Sequence, residues 1–300
     1  MKKRSSFNIL AALLLLCCLA AYCEAGEIVA IKSAEIKPYN DALEGFKTSC
    51  DHDVRELLMS ETDSSEILRK VHENGTLAVL AIGMDALNLA RSVRDVPVIY
   101  AMVPQSQVLS AGQKPLSGVS MYISPDRYIG SVLDVFHGTK RIGVIYDPNN
   151  REAYMNEALQ SAQGRGVELV IRKASRPSDI PALIDSMKDK IDVFWMLPDT
   201  TVVNPETVKY LLLFSFQNKV PIFTFSKKYV EMGCTAGLYT APFDIGVQAG
   251  EIARKLVSEK NPKTIRTDAR KTVLAVNRKI IKKFGIKVRD DILNRAEHVD

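Results

Sequence analysis

The amino-acid sequence predicts an α/β protein made of two doubly wound parallel-sheet lobes. Three observations carry this expectation. Short apolar, β-branched runs alternate with amphipathic stretches along nearly the whole chain, the pattern of βα units around a parallel sheet. The alternation loosens between Val103 and Gly118, where Gln105, Ser106, Gly112, Gln113 and Pro115 gather, and then restarts. A single sheet holding every expected strand would be very wide, so two lobes fit better.

The elements follow in order. Ile28–Ile31 reads as a strand, Pro38–Ser49 as a helix, Val54–Met59 as a strand and Ser64–Asn74 as a helix. Ala78–Ile82 is a buried strand, Asp85–Val93 a helix and Val96–Ala101 a fourth strand. After the loosened stretch, Pro125–Phe136 is helical, Arg141–Tyr146 extended and Arg151–Gln163 helical. Glu168–Arg172, Asp192–Leu197 and Val220–Phe225 are strands, separated by helices at Ser178–Lys188 and Pro205–Asn218. The segments Gly237–Thr240, Pro242–Ser258, Thr272–Val276 and Arg278–Phe284 complete one lobe or the other.

The first 25 residues stand apart. Lys2, Lys3 and Arg4 precede an apolar run from Ile9 to Ala21, and small residues at positions 23 and 25 frame a cleavage site after Ala25. The thirteen apolar residues are few for a bilayer span, so the segment reads as a secretory signal peptide. An uncleaved anchor, or lipid attachment through Cys17, Cys18 or Cys23, are the alternatives. Removing the segment leaves Cys50 and Cys234 and takes the formal charge from +5 to +3. That balance argues against nucleic acid as a partner. Two free thiols are expected, although an exported compartment permits a disulfide.

Catalytic chemistry has little support in the sequence. His52, His72, His137 and His298 have no companion at metal-ligand spacing, so neither metal nor cofactor is expected. A Gly-x-Ser-x-Gly nucleophile elbow and a phosphate-cradling glycine loop are both absent. Gly164-Arg165-Gly166 follows a helix and suits its C-terminal cap. Lys279, Lys282, Lys283 and Lys287 read as the solvated face of a helix.

What remains is a set of strand ends. Open parallel sheets bind ligands beyond the carboxyl ends of their strands. Ser33 follows the first strand, Gly83 and Met84 the third, and Met102 lies just past the fourth. In the second half, Asp147, Asp199 with Thr200, and Ser226 hold equivalent places. Helix capping competes with ligand contact at each polar member. For Asp199 and Thr200 it competes least, because Asn204-Pro205 already supplies the start of the next helix. Asp199 is expected to meet a ligand amine.

The chain also resembles the substrate-binding proteins of bacterial ABC transporters, in the subgroup with tryptophan- and tyrosine-type binding proteins. The likeness lies in PDTTVVNPE (198–206), KVPIFTFSKKYVEMGC (219–234), DIGVQAGEIARKLVSEKNP (244–262), VNRKIIKKFGIKV and ILNRAEHVD towards the end, and PYNDALEGF (38–46) and RIGVIYDPNN (141–150) in the first half. Departures occur at Met84, where the family often has threonine, and at Pro104-Gln105, where it often has Asp-Pro.

The resemblance implies a type I periplasmic-binding fold, with residues 26–122 and 241–271 in one lobe and 123–240 and 272–300 in the other. Three crossings form a hinge that closes on a small polar ligand, an amino acid or related amine or carboxylate. Tyr239, near a crossing, joins the candidate ligand contacts. The implied partner is an ABC permease of the inner membrane. A sensor kinase or chemoreceptor is the alternative, and an exported enzyme a more remote one. The protein is expected to be an exported monomer that captures solute and catalyses nothing.

Overall fold

The computed structural model describes residues 26–73, 75–104, 116–259 and 263–300. The expected signal segment 1–25, most of the loosened stretch and Lys260-Asn261-Pro262 lie outside them. In chain order the described elements are β1 (Glu27–Lys32), α1 (Lys37–Ser49), β2 (Val54–Leu58), α2 (Ser64–Val71), β3 (Thr76–Ile82), α3 (Met84–Ala90), β4 (Val98–Val103) and β5 (Ser117–Ser120). They continue with α4 (Pro125–Val135), β6 (Arg141–Tyr146), α5 (Pro148–Gly164), β7 (Glu168–Lys173), α6 (Ile180–Asp185), β8 (Val193–Trp195), α7 (Pro205–Asn218), β9 (Ile222–Thr224) and α8 (Lys227–Glu231). The chain closes with β10 (Ala236–Thr240), α9 (Pro242–Ser258), β11 (Arg266–Asp268), β12 (Thr272–Asn277), α10 (Arg278–Phe284), α11 (Asp290–Arg295) and β13 (Glu297–Val299).

The chain divides into two compact units and passes between them three times. One unit holds the described residues up to Met121 together with Pro242–Asp268; the other holds Tyr122–Ala241 and Ala269–Asp300. Each has its own sheet, in the order β11-β5-β4-β3-β1-β2 in the first and β13-β12-β10-β9-β8-β6-β7 in the second. All pairings in the first sheet are parallel. The second is parallel from β7 to β10, after which β12 runs antiparallel to β10 and β13 parallel to β12. The α/β class and its doubly wound lobes are therefore as the alternation predicts.

Several elements differ from the sequence expectation for local reasons. Helix α5 starts at Pro148, three residues earlier than the apolar pattern suggests, because Asp147 caps it and proline fits the first turn. The stretch expected as one helix over Ser178–Lys188 is a 3₁₀ turn, Pro177–Asp179, followed by the short α6. Strand β8 stops at Trp195, although Met196 N–H still donates to Phe223 O at 2.8 Å. Strands β5, β11 and β13 and helices α8 and α11 are too short to show a period. β11 is Arg-Thr-Asp, exposed throughout.

In the first unit, α2 and α3 cover one face of the sheet, burying Ile67, Val71, Leu87 and Ala90 on Val29, Ile31, Val79 and Tyr100. Helices α1 and α9 pack against each other on the sheet. Their approach depends on glycine. A Cβ at Gly45 would lie 1.9 Å from Phe243 O, and one at Gly246 would lie 1.8 Å from Ala42 O. Ser49 Oγ donates across the pair to Val247 O at 2.8 Å. The Gly-x-Gln-Ala-Gly stretch of the sequence is thus a helix-packing surface. In the second unit, α4 and α5 bury Tyr128, Ile129, Met155 and Ala158 on Val144, Trp195 and Phe223. On the opposite face, α6 and α7 cover Ile145, Phe194 and Ile222.

Gly246→Ala should lower the unfolding free energy by about 2–3 kcal/mol, the usual cost of overpacking a close contact. Gly164→Ala should be neutral or stabilise by up to about 1 kcal/mol, since nothing lies within 4 Å of a Cβ there. Urea unfolding of the two variants beside the wild type measures both.

Candidate functional site

In the second unit, the carboxyl ends of β6 and β8 bring three predicted residues together. Asp147 is buried; its Oδ1 accepts from Asn149 N–H at 2.9 Å and its Oδ2 from Thr201 Oγ1 at 2.7 Å. Asp199 is only 2% exposed. Its Oδ2 accepts from Asp147 N–H at 2.8 Å and its Oδ1 from Thr201 N–H at 3.0 Å. Asn150 Nδ2 reaches Asp199 Oδ1 and Thr201 Oγ1, each at 3.4 Å.

Asp199 therefore braces the loop. Its carboxylate ties the end of β6 to the end of β8 through two backbone N–H groups. The carboxylate that the sequence reading aims at a ligand amine has both oxygens on protein donors. Thr200, held between Asp199 and Thr201, is exposed. Asn204 accepts from Glu206 and Thr207 N–H and leaves α7 fully capped, as Asn204-Pro205 predicts.

Ser226 sits past β9 as the residue before α8, and its side chain makes no capping bond. Tyr239 lies near the end of β10, where its hydroxyl donates to Glu297 Oε2. Glu297 also receives Lys227 Nζ. Burial, then the hydrogen bond to Glu297, push the Tyr239 hydroxyl well above its ordinary range. The Lys227 and Tyr239 bonds hold Glu297 below the usual carboxylate range. Tyr239 is thus joined to Lys227 and Glu297, apart from the Asp147–Asp199 brace.

In the first unit, Ser33, Gly83 and Met84 lie together at the ends of β1 and β3. Ser33 N–H donates to Ile82 O at 3.0 Å, and Ser33 Oγ accepts from Ala86 N–H at 2.9 Å, which caps α3. Gly83 has φ +90°, and a Cβ there would lie 2.7 Å from both Ser33 Oγ and Tyr39 Oη. This turn requires glycine. Met84 and Tyr39 are half-buried. Met102 is buried with φ +58°, and just beyond it Met121 N–H donates to Val103 O at 3.0 Å. Below this edge Lys32 is buried, with its ammonium on Glu35 at 2.5 Å, Asn40 at 2.7 Å and Glu56. Burial works to lower the Lys32 pKa, but the bonds to Glu35 and Glu56 outweigh it and raise it.

Sequence reasoning did not single out Tyr39, Lys32, Asn150 or Thr201 at these edges, nor Arg151, whose Nη2 donates to Pro198 O. A signal for Asn150 and Arg151 was present: Asp147-Pro148 is the same cap-plus-proline start as Asn204-Pro205, which places them in the first turn of α5. Among the described residues there is no group of His, Cys, Asp or Glu that could hold a metal ion. Cys234 is buried and Cys50 half-buried, both as free thiols.

Residues 41–300 match the family described as ABC transporter substrate binding protein. The chain belongs to that family. Among related proteins, the "Tyrosine-binding protein" of Clostridioides difficile (strain R20291) is 26% identical over 240 residues, covering 77% of this chain and 68% of that one. Among solved structures, the ligand-free, open form of a substrate binding protein with adhesive properties from Clostridium difficile has a TM-score of 0.76 at 19% identity, covering 92% of this chain and 99% of that one. An ABC domain in complex with L-Trp from Streptococcus pneumonia has a TM-score of 0.63 at 20% identity, covering 91% and 100%. These structural likenesses establish the fold, that of the type I periplasmic binding proteins.

Thr201→Val should raise the pKa of Asp147. The Thr201 hydroxyl bond first, then Asn149 N–H, hold it below the ordinary aspartate value. A depressed carboxylate contributes stability above its unfolded-state pKa and loses it as pH falls through the folded one. The stability gap between wild type and variant should therefore narrow on acidification through that range. A ¹³C carboxyl titration by NMR, paired with melting curves from neutral to acid pH, measures both effects.

Proposed function

We propose that the protein is an exported solute receptor of an ABC importer and that its ligand is an amino acid with an apolar or aromatic side chain. The contrast between the two sheet edges carries this reading. The edge of the second unit offers Thr200, on a loop braced by Asp147 and Asp199, Asn150 in the first turn of α5 and Ser226 past β9 as hydrogen-bonding groups. The edge of the first unit offers Tyr39, Met84 and Met121, soft and apolar groups that suit an aromatic ring. An α-amino acid has a polar head and a side chain that match these two characters.

In this reading Thr200, Asn150 and Ser226 meet the polar head, and Ser33, Gly83, Met84 and Met102 shape the place for the side chain. Asp147 and Asp199 hold the loop in position, and Tyr239 serves the second unit as a neighbour of Lys227 and Glu297. Ligand contact with both units favours a closed form, since a ligand shifts an equilibrium by its differential affinity. Residues 1–25 act as a cleaved leader, and the loaded protein, a monomer, delivers its cargo to a permease. The binding described for the Clostridioides difficile and Streptococcus relatives supports an aromatic amino acid as first candidate.

Thermal-shift measurements against the twenty amino acids test this. L-tyrosine or L-tryptophan at a hundredfold excess over Kd should stabilise the protein by about 2.7 kcal/mol. Sugars and purines should give no shift. A shift with a sugar and none with any amino acid would refute the reading.

A further inference from the structure

Arg151 stands at the same edge as the Asp147–Asp199 brace, in the first turn of α5 and half-buried. Its Nη2 donates to the carbonyl oxygen of Pro198. A guanidinium offers five N–H donors in a planar fork, and the Pro198 carbonyl uses one nitrogen. No carboxylate among the described residues pairs with it. Five arginines of the second unit, Arg141, Arg165, Arg176, Arg289 and Arg295, pair with an aspartate, whereas Arg127 and Arg172, like Arg151, bond hydroxyl or carbonyl groups, and of these three Arg151 stands at the braced edge. Acids of α4, α5 and the braced loop have other partners, Glu152 in Tyr146 and Lys173, Glu157 in Tyr122, Asp126 in Arg165, and Asp199 in the backbone.

A second observation points the same way. Tyr128 on α4 is 5% exposed. Its ring packs on Trp195, with centroids 5.4 Å apart, and its hydroxyl has no hydrogen-bond partner among the described residues. Burial raises the pKa of the Tyr128 and Tyr154 hydroxyls, and the charge of Arg151 partly opposes that rise at both. Arg151 stands one turn before Tyr154 on α5, and the rings of Tyr128 and Tyr154 both pack on Trp195, three residues before the Pro198 carbonyl that Arg151 binds. The Tyr154 hydroxyl donates to Ile123 O at 3.1 Å; that of Tyr128 is uncommitted. A half-buried guanidinium without a carboxylate partner, near a hydroxyl that the fold leaves unbonded, offers an anionic acceptor several donors at one place.

We propose that Arg151, assisted by the Tyr128 hydroxyl, receives the carboxylate of the ligand at the carboxyl ends of β6 and β8. This rests on the amino-acid reading above and extends it: Arg151 makes the protein select carboxylate-bearing solutes over the matching amines. Arginine suits the role because its fork matches a carboxylate with two parallel bonds.

Calorimetric titration of the wild type, Arg151→Met, Arg151→Lys and Tyr128→Phe with L-tyrosine, tyramine, L-tryptophan and tryptamine tests it. The wild type should bind one of the amino acids about 100-fold or more tighter than its amine, the range expected for a charge-assisted pair. Arg151→Met should bring that ratio to within a few-fold by weakening the amino acid alone. Arg151→Lys should keep part of it. Tyr128→Phe removes a hydroxyl that the fold does not use, so it should melt like the wild type while losing about 3- to 10-fold for the amino acid only. It keeps the test decisive if Arg151→Met fails to fold. An unchanged ratio in Arg151→Met or, should that variant not fold, in Tyr128→Phe would overturn the assignment while leaving the amino-acid reading intact. A wild type that prefers the amine would do the same. A wild type that binds none of the four compounds would take both down.

Discussion

The carboxyl edge of the second unit's sheet depends on one carboxylate. Asp199 accepts the N–H of Asp147 and of Thr201, and so joins two loops that come from different parts of the chain. Hydrogen bonds to a charged acceptor contribute about 1.5–3 kcal/mol each, far more than an exposed contact. Asp147, fixed in this way, caps α5 and takes the Thr201 hydroxyl. The two aspartates thus hold each other's loops without direct contact between their charges. Asn150, Arg151 and Thr200 inherit their positions from this arrangement, Asn150 through its own amide bonds to Asp199 and Thr201.

The first unit reaches a comparable end by other means. The carboxyl edge of its sheet is shaped by Gly83, whose φ of +90° and close neighbours exclude any side chain, and by Ser33, which closes the start of α3. Behind it, the glycines of α1 and α9 let two helices approach to backbone contact. Buried Lys32 with Glu35, Glu56 and Asn40 ties the turn after β1 to α1 and β2. One edge is rigid because of hydrogen bonds to a charge, the other because of close backbone packing and a buried ion pair.

Much of this was legible in the sequence. The βα alternation and its interruption gave two doubly wound lobes, because a buried parallel strand and an amphipathic helix each leave a strong period. Strand ends could be located to within a residue or two, so Ser33, Gly83, Asp147, Asp199 and Ser226 were all placed correctly beyond the carboxyl ends of strands. Their directions could not be read. Whether Asp199 faces inward or outward depends on the N–H of Asp147, 52 positions away, and no local pattern encodes that. The short strands β5, β11 and β13 were invisible for a related reason, since three or four residues carry no period and pairing partners decide them. Arg151 was missed because the start of α5 was read from apolar spacing, when the Asp-Pro cap marks it better.

Whether Asp199 is a brace is most directly measured by amide hydrogen exchange of the ligand-free protein, followed residue by residue. The N–H groups of Asp147 and Thr201 should exchange far more slowly than that of exposed Thr200, and both should lose their protection together in Asp199→Ala. Exchange of Asp147 and Thr201 at the rate of Thr200 in the wild type would contradict the brace and return Asp199 to the ligand.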